Sequence, residues 1–209
     1  MKNIYTLLLG AVALFATGCS DDFGDMNTPS DATTTVEPKF FFNKMETQVF
    51  RDYQRVINLY GDLYSQYWAN TVNSFESGRY EYNNDWVGRG WEQFYTEILR
   101  RSVAIDEMYG ENELYQEAIA IKNVWMVYYW SRMTDYYGDM PYFNAGTGEA
   151  VPYTSQEEIY RDLFKVLDEA IPKITGDAAQ YQYGSSYDLI YGGDVMKWKR
   201  FANSLRLRL

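Results

Sequence analysis

Beyond residue 37, apolar side chains recur every three or four positions, the period of helices that each bury one side. The spacing predicts helices over 38–50, 53–72, 86–109, 112–137, 156–174 and 194–209. The fifth has the clearest start. Ser155 with Glu158 three residues on makes a capping box, and Ile159, Leu163, Val166, Leu167, Ala170 and Ile171 form an apolar stripe before Pro172 discourages continuation. In the fourth, Ile121, Val124, Trp125, Tyr128, Tyr129, Trp130 and Met133 leave almost no polar side, which predicts a central helix covered on several sides. Trp91, Trp125, Trp130 and Trp198 all sit at helical spacing and are expected in the core.

The last helix starts at Asp194, an N-cap after Gly192 and Gly193, and carries Trp198, Phe201, Ala202, Leu205 and Leu209 on one face. No Gly, Asn or Pro closes it, so the expectation is a domain incomplete at its C-terminal end. Tight turns between helices suggest helical hairpins. Ile57, Tyr60, Gly61 and Tyr64 loosely match a tetratricopeptide pattern, with Gly61 expected where a partner helix approaches closely. The run Tyr137-Gly138-Asp139-Met140-Pro141-Tyr142 reads as a rigid helix exit: glycine takes a positive φ, aspartate bonds nearby backbone N–H groups, and proline blocks a restart.

The first residues follow a different pattern. Lys2 precedes a thirteen-residue apolar run from Ile4 to Ala16, too short to span a bilayer and right for a secretory signal. Ala16-Thr17-Gly18-Cys19 resembles a bacterial lipobox, which implies cleavage before Cys19 and a lipid on its sulfur. Acyl chains then anchor the protein by burying methylenes in the membrane. The expected organisation is a signal peptide at 1–18, lipidated Cys19 and a flexible tether over 19–36, and a helical domain over 37–209. Acidic Ser20-Asp21-Asp22 looks like the surface-export signal of Bacteroidetes lipoproteins.

Composition excludes several classes. Nineteen Lys and Arg against 29 Asp and Glu give a net charge of −10, the wrong sign for a nucleic-acid binder. Histidine is absent, so a Ser-His-Asp triad or a His-ligated zinc site is impossible within this chain. One cysteine permits no intrachain disulfide. Asp21, Asp22 and Asp25 lack the calcium-loop spacing, and no metal motif or cofactor site is visible. Aromatics reach 18%, with 21 Tyr and 6 Trp, an excess that asks for a use.

Two stretches, Thr134 to Tyr142 (TDYYGDMPY) and Lys197 to Leu209 (KWKRFANSLRLRL), together with the lipobox, resemble the SusD/RagB family of outer-membrane nutrient-binding lipoproteins. The resemblance implies an all-α fold of tetratricopeptide-like helical hairpins with long loops. It also implies a chain shorter than its relatives, anchored in the outer membrane and exposed at the cell surface. The implied partner is a SusC-like TonB-dependent transporter, with the lipoprotein as a lid that passes on an oligosaccharide or polysaccharide. The RagB-like branch implies a peptide instead.

Sugars present C–H faces that stack on rings, and hydroxyls that need polar partners. The segment between the second and third helices has that mixture, and the candidate ligand-binding residues are Asn73, Arg79, Tyr80, Tyr82 and Trp86. The competing reading packs Tyr80, Tyr82 and Trp86 over a helix end. A second candidate platform is the loop 176–193, with Tyr181, Tyr183, Tyr187 and Tyr191. The leading expectation is therefore a receptor without catalytic residues. The alternatives are a peptide receptor, a structural partner of the barrel lacking a complete ligand site, and a two-carboxylate glycoside hydrolase for which no spacing singles out a pair.

Overall fold

The computed structural model describes residues 36–48, 54–176 and 181–209; the signal segment, Cys19 and the tether up to residue 35 lie outside the described residues. Helices α1 (Pro38–Gln48), α2 (Asn84–Gln93), α3 (Arg100–Tyr109), α4 (Gln116–Tyr137), α5 (Gln156–Lys173) and α6 (Val195–Arg208) carry the fold. Two π-helical stretches, Gln54–Asp62 and Phe94–Leu99, add to them, the second joining α2 to α3 without a break. The only departure from an all-helical chain among the described residues is a two-residue antiparallel pair, β1 (Met140–Pro141) with β2 (Tyr153–Thr154).

Fifteen of the 22 residues of α4 are buried, which makes it the central helix its sequence predicts. Its neighbours are antiparallel hairpin partners. Lys122 meets Asp106 of α3 near one end. Along α5, Asp135 takes a hydrogen bond from Tyr160 (2.6 Å) while Glu117 accepts from the backbone of Thr175 and Gly176 at the far end. Helix α6 then runs back along α5, with Arg206 paired to Asp168 and Lys199 donating to Ile174 O at 2.8 Å. Trp125, Trp130 and Trp198 are buried as expected, and Trp91 is half-buried.

The local signals act as read. Ser155 and Glu158 exchange both capping-box bonds, and Asp194 caps α6 by accepting from Lys197 N at 3.1 Å. Gly138 has φ +73° and donates to Thr134 O at 2.8 Å, ending α4. Asp139 accepts from Gln156 N at 2.9 Å, so the helix exit of α4 holds the entrance of α5, and β1 pairs with β2 between them.

Three expectations need correction. The helix placed over 53–72 stops near residue 64: Gln66 leaves the helical region with φ +60°, and beyond it Asn70 folds its amide onto the loop, donating to Phe75 O (2.7 Å) and accepting from Val72 N (2.6 Å). Gly61 does not face a partner helix: a β-carbon there would meet nothing within 4 Å. The loop at 181–193 is not a stacking platform. Tyr183 is fully buried against Phe42, with centroids 4.2 Å apart and planes 4° from parallel, and Tyr191 packs edge-on to Trp198 at 4.9 Å.

What holds that loop is Asp188, 2% exposed. Its carboxylate accepts from Tyr181 OH (2.7 Å), Trp198 Nε1 (2.8 Å) and the backbone N–H groups of Ile190, Tyr191 and Gly193. Burial alone would raise its pKa, but these donors outweigh burial and hold it below the usual carboxylate value. Beside it, Glu46 of α1 accepts from Leu189 N at 2.9 Å. Burial, reinforced by the Asp188 charge, pushes Glu46 up from 4.5 to about 8.

A carboxyl whose folded pKa is raised contributes stability below its unfolded pKa and loses it as pH rises through the folded value. Stability should therefore fall between about pH 5 and pH 8, by no more than about 1.4 kcal/mol per pH unit for one proton. Urea melts of Glu46→Gln should lack that slope. Asp188→Asn should cost about 3 kcal/mol at pH 6, since it leaves buried donors poorly matched. An unchanged pH slope in Glu46→Gln would show that another group sets it.

Candidate functional site

The segment between the first π-helical stretch and α2 is a loop built around two fixed tyrosines. Tyr60 and Tyr64 lie four residues apart, and their rings meet at 4.9 Å. The Tyr60 hydroxyl donates to Asn83 O (3.1 Å) and accepts from Asn83 N, while Tyr64 donates to Glu81 O at 2.9 Å. Burial, then the neighbouring Tyr60 hydroxyl, raises the Tyr64 pKa above that of a free phenol. Asn83 in turn caps α2 through Trp86 N at 3.2 Å. Residues 81–83 are thus fixed at both ends, to a helix behind and a helix ahead.

On this frame Tyr80 and Tyr82 face outward, 58% and 66% exposed. Tyr80 sits 5.5 Å from the Tyr64 ring and Tyr82 6.2 Å from the Tyr60 ring. Tyr80 has φ +63°, rare for an aromatic residue, and its hydroxyl accepts from Gln66 Nε2 at 2.8 Å. Gln66 also has a positive φ, +60°. Two sparsely populated backbone conformations are thus tied together at one place, the kind of local strain that recurs at binding sites. Trp86 is half-buried between Phe75 (5.7 Å) and Tyr60 (6.5 Å), so its ring packs against the tyrosine that Tyr82 touches rather than against the exposed rings themselves. Arg79 pairs with Glu81 at 3.3 Å, which neutralises the rim locally, and also reaches the backbone carbonyl of exposed Asn73 at 3.5 Å.

Four of the five sequence candidates, Asn73, Arg79, Tyr80 and Tyr82, therefore belong to one loop, and Trp86 lies beside it in the first turn of α2. Sequence reasoning missed Tyr67 and Trp68, 81% and 63% exposed, by assigning them to a helix. The signal that could have found them is Asn70, whose side chain competes with helical hydrogen bonding just beyond. Among the described residues no group of three Cys, Asp or Glu side chains could hold a metal ion. The carboxylates with opposed pKa shifts, Glu46 and Asp188, are each 2% exposed, Asp188 held by five donors and Glu46 by Leu189 N, away from the tyrosine loop.

The chain is thus a helical-hairpin scaffold that presents exposed tyrosines on a loop fixed by two others. The chain belongs to the SusD-like family, the SusD and RagB outer membrane lipoproteins, whose model matches residues 25–209. Its fold is the mostly helical, tetratricopeptide-like one of solved SusD homologues. One from Parabacteroides distasonis is 31% identical, with a TM-score of 0.73 over 83% of this chain and 35% of its own. A chitin-binding SusD homologue from Flavobacterium johnsoniae is 31% identical, with a TM-score of 0.70 over 82% of this chain and 38% of its own. A further structure described as a chitin-binding protein is 28% identical, with a TM-score of 0.73 over 82% of this chain and 38% of its own. The chain thus spans well under half the length of these relatives. No curated protein matches it. Among the described residues no helix is long and apolar enough to cross a membrane.

The two kinds of ring should separate in denaturation. Trp86→Ala removes packing beneath the loop and should lower the unfolding free energy by about 2 kcal/mol. Tyr82→Ala, on an exposed ring, should stay within about 0.5 kcal/mol of the parent. Urea melts followed by circular dichroism check both, and equal losses would make Tyr82 a structural residue.

Proposed function

We propose that this protein binds a glycan at the surface of the outer membrane, without cleaving it, and delivers it to a SusC-like TonB-dependent transporter. The observation that carries the reading is the outward pair Tyr80 and Tyr82 on a loop fixed by Tyr60 and Tyr64, in a member of the SusD-like family. Stacked C–H faces of a sugar suit exposed tyrosines. Asn73 and Arg79 lie beside them to meet hydroxyls. The two chitin-binding relatives support a polysaccharide as the ligand class. The Arg79–Glu81 pair favours an uncharged glycan over a peptide, because neither charge is left over to select a charged partner. Delivery to a transporter, attachment through Cys19, and the organisation into signal peptide, tether and helical domain complete the reading and rest on the family and on the lipobox.

The protein should be retained by one or more members of a polysaccharide panel that includes chitin, with no reducing sugar released in the same tubes. Tyr80→Ala and Tyr82→Ala should each weaken binding by about three- to tenfold, the worth of one ring stack, and raising the salt should change little. Release of sugar would make the protein an enzyme. Retention of acidic or basic peptides with steep salt dependence would replace the glycan by a peptide.

A further inference from the structure

A second cavity shares no residue with the tyrosine loop. It lies between α3, α4, α5 and the loop 142–144, has a volume of about 280 Å³, and is floored by apolar side chains of the three helices. One wall is the ion pair of Lys122 and Asp106. The Lys122 side chain is 2% exposed and its Nζ lies 2.6 and 2.5 Å from the two Asp106 oxygens, while the Asp106 side chain is 49% exposed. Burial lowers the pKa of Lys122, and Asp106 opposes that by stabilising the ammonium.

The mouth carries Asn123, Asn144 and Phe143, the last 48% exposed, with Ser102 buried further in. This mouth is built rather than loose. Gly146 has φ +92°, and a β-carbon there would lie 3.0 Å from a Val103 methyl, so only glycine lets the loop seat against α3. Tyr142 donates to Asp162 at 2.7 Å and Thr147 to Asn144 O at 2.9 Å, which fixes the loop on either side of Asn144.

We propose that this cavity is a separate binding site for a small neutral polyol the size of one sugar ring. Three features select that class. The buried ammonium behind half-exposed Asp106 cancels its charge, so the wall offers no net charge to draw in an ion, whereas a hydroxyl can bond the carboxylate without one. Each Asp106 oxygen keeps a lone pair beyond those facing Lys122, so the carboxylate can accept from two adjacent hydroxyls. The amides of Asn123 and Asn144 both donate and accept, and Phe143 offers a ring face at the rim. The volume, about 280 Å³, lies just below the range of drug-sized ligand sites, which run from about 300 to 1,000 Å³, and admits a single ring rather than a chain.

The test is a titration of the protein with N-acetylglucosamine, galactose, glucuronate and glucosamine, followed by amide shifts in nuclear magnetic resonance. The neutral sugars should move Ser102, Val103, Asn123 and Asn144 saturably. The two charged sugars should bind there at least tenfold more weakly. Asn123→Ala and Phe143→Ala, at partly exposed positions, should each weaken the effect by roughly tenfold, and Tyr82→Ala should leave it intact. The proposal is overturned if folded protein shows shifts only at residues 65–86 or none at all. It is equally overturned if the charged sugars bind as well as the neutral ones, or if Asn123→Ala and Phe143→Ala change nothing. Failure here leaves the tyrosine loop untouched, since Tyr80→Ala and Tyr82→Ala report on that site alone.

Discussion

A buried carboxylate survives in a protein interior only when donors replace the water it has lost. Asp188 has five, and the chain around it is arranged to supply them. Three come from the backbone that follows it, which folds residues 188–193 into a tight turn. The fourth, Trp198 Nε1, fixes the first turns of α6. The fifth, Tyr181 OH, draws in the strand of loop whose neighbour Tyr183 stacks on Phe42 of α1. The same loop accepts from Asn43 Nδ2 through Tyr187 O at 2.9 Å. One carboxylate therefore registers the first described helix against the last, about 150 residues apart in sequence, and both against α4 through Trp198 and Trp125 (5.7 Å). Glu46, drawn in beside it, loses its charge rather than its place.

Helices were legible because their evidence is local. Periodicity, Ser155 with Glu158, Asp194 and Gly138 each act within a turn or two, and each does in the structure what its chemistry predicts. What was not legible leaves no mark in the apolar period. The second helix ends where Gln66 takes a positive φ and the Asn70 amide folds back onto the loop beyond. The wide turn at Phe94–Leu99, which carries Phe94, Ile98 and Leu99 into the core, joins two helices whose apolar spacing reads as one. Loop 181–193 looked like an exposed tyrosine platform because its composition is Gly, Ser and Tyr. Only the position of Asp188 reveals that those rings face inward.

The candidate site was legible as a composition and illegible as a geometry. Asn73, Arg79, Tyr80 and Tyr82 lie in one loop and Trp86 in the helical turn that follows it, but nothing in their spacing tells which ring is presented and which supports. The supporting pair, Tyr60 and Tyr64, sits in the preceding helix at a four-residue interval, indistinguishable in sequence from any pair on a buried face. Their role follows from where their hydroxyls go.

That distinction extends through the molecule. Tyr60, Tyr64, Tyr95, Tyr129 and Tyr137 each donate to the backbone carbonyl of a residue in another element: Asn83, Glu81, Pro141, Met45 and Val87. A carbonyl has one position, so each bond fixes a loop or helix at a definite place along the ring that anchors it. These rings fill volume with their bodies and set register with their tips. Five of the 21 tyrosines thus join one element to another in a chain whose single cysteine permits no disulfide staple within it. Tyr80 and Tyr82 break the pattern. The first bonds only a side chain, Gln66, and the second contacts Tyr60 through its ring edge. Both rings are released from register and held outward, 58% and 66% exposed, by the tyrosines that keep it, so their faces meet solvent where the larger number of aromatics around them meet the core.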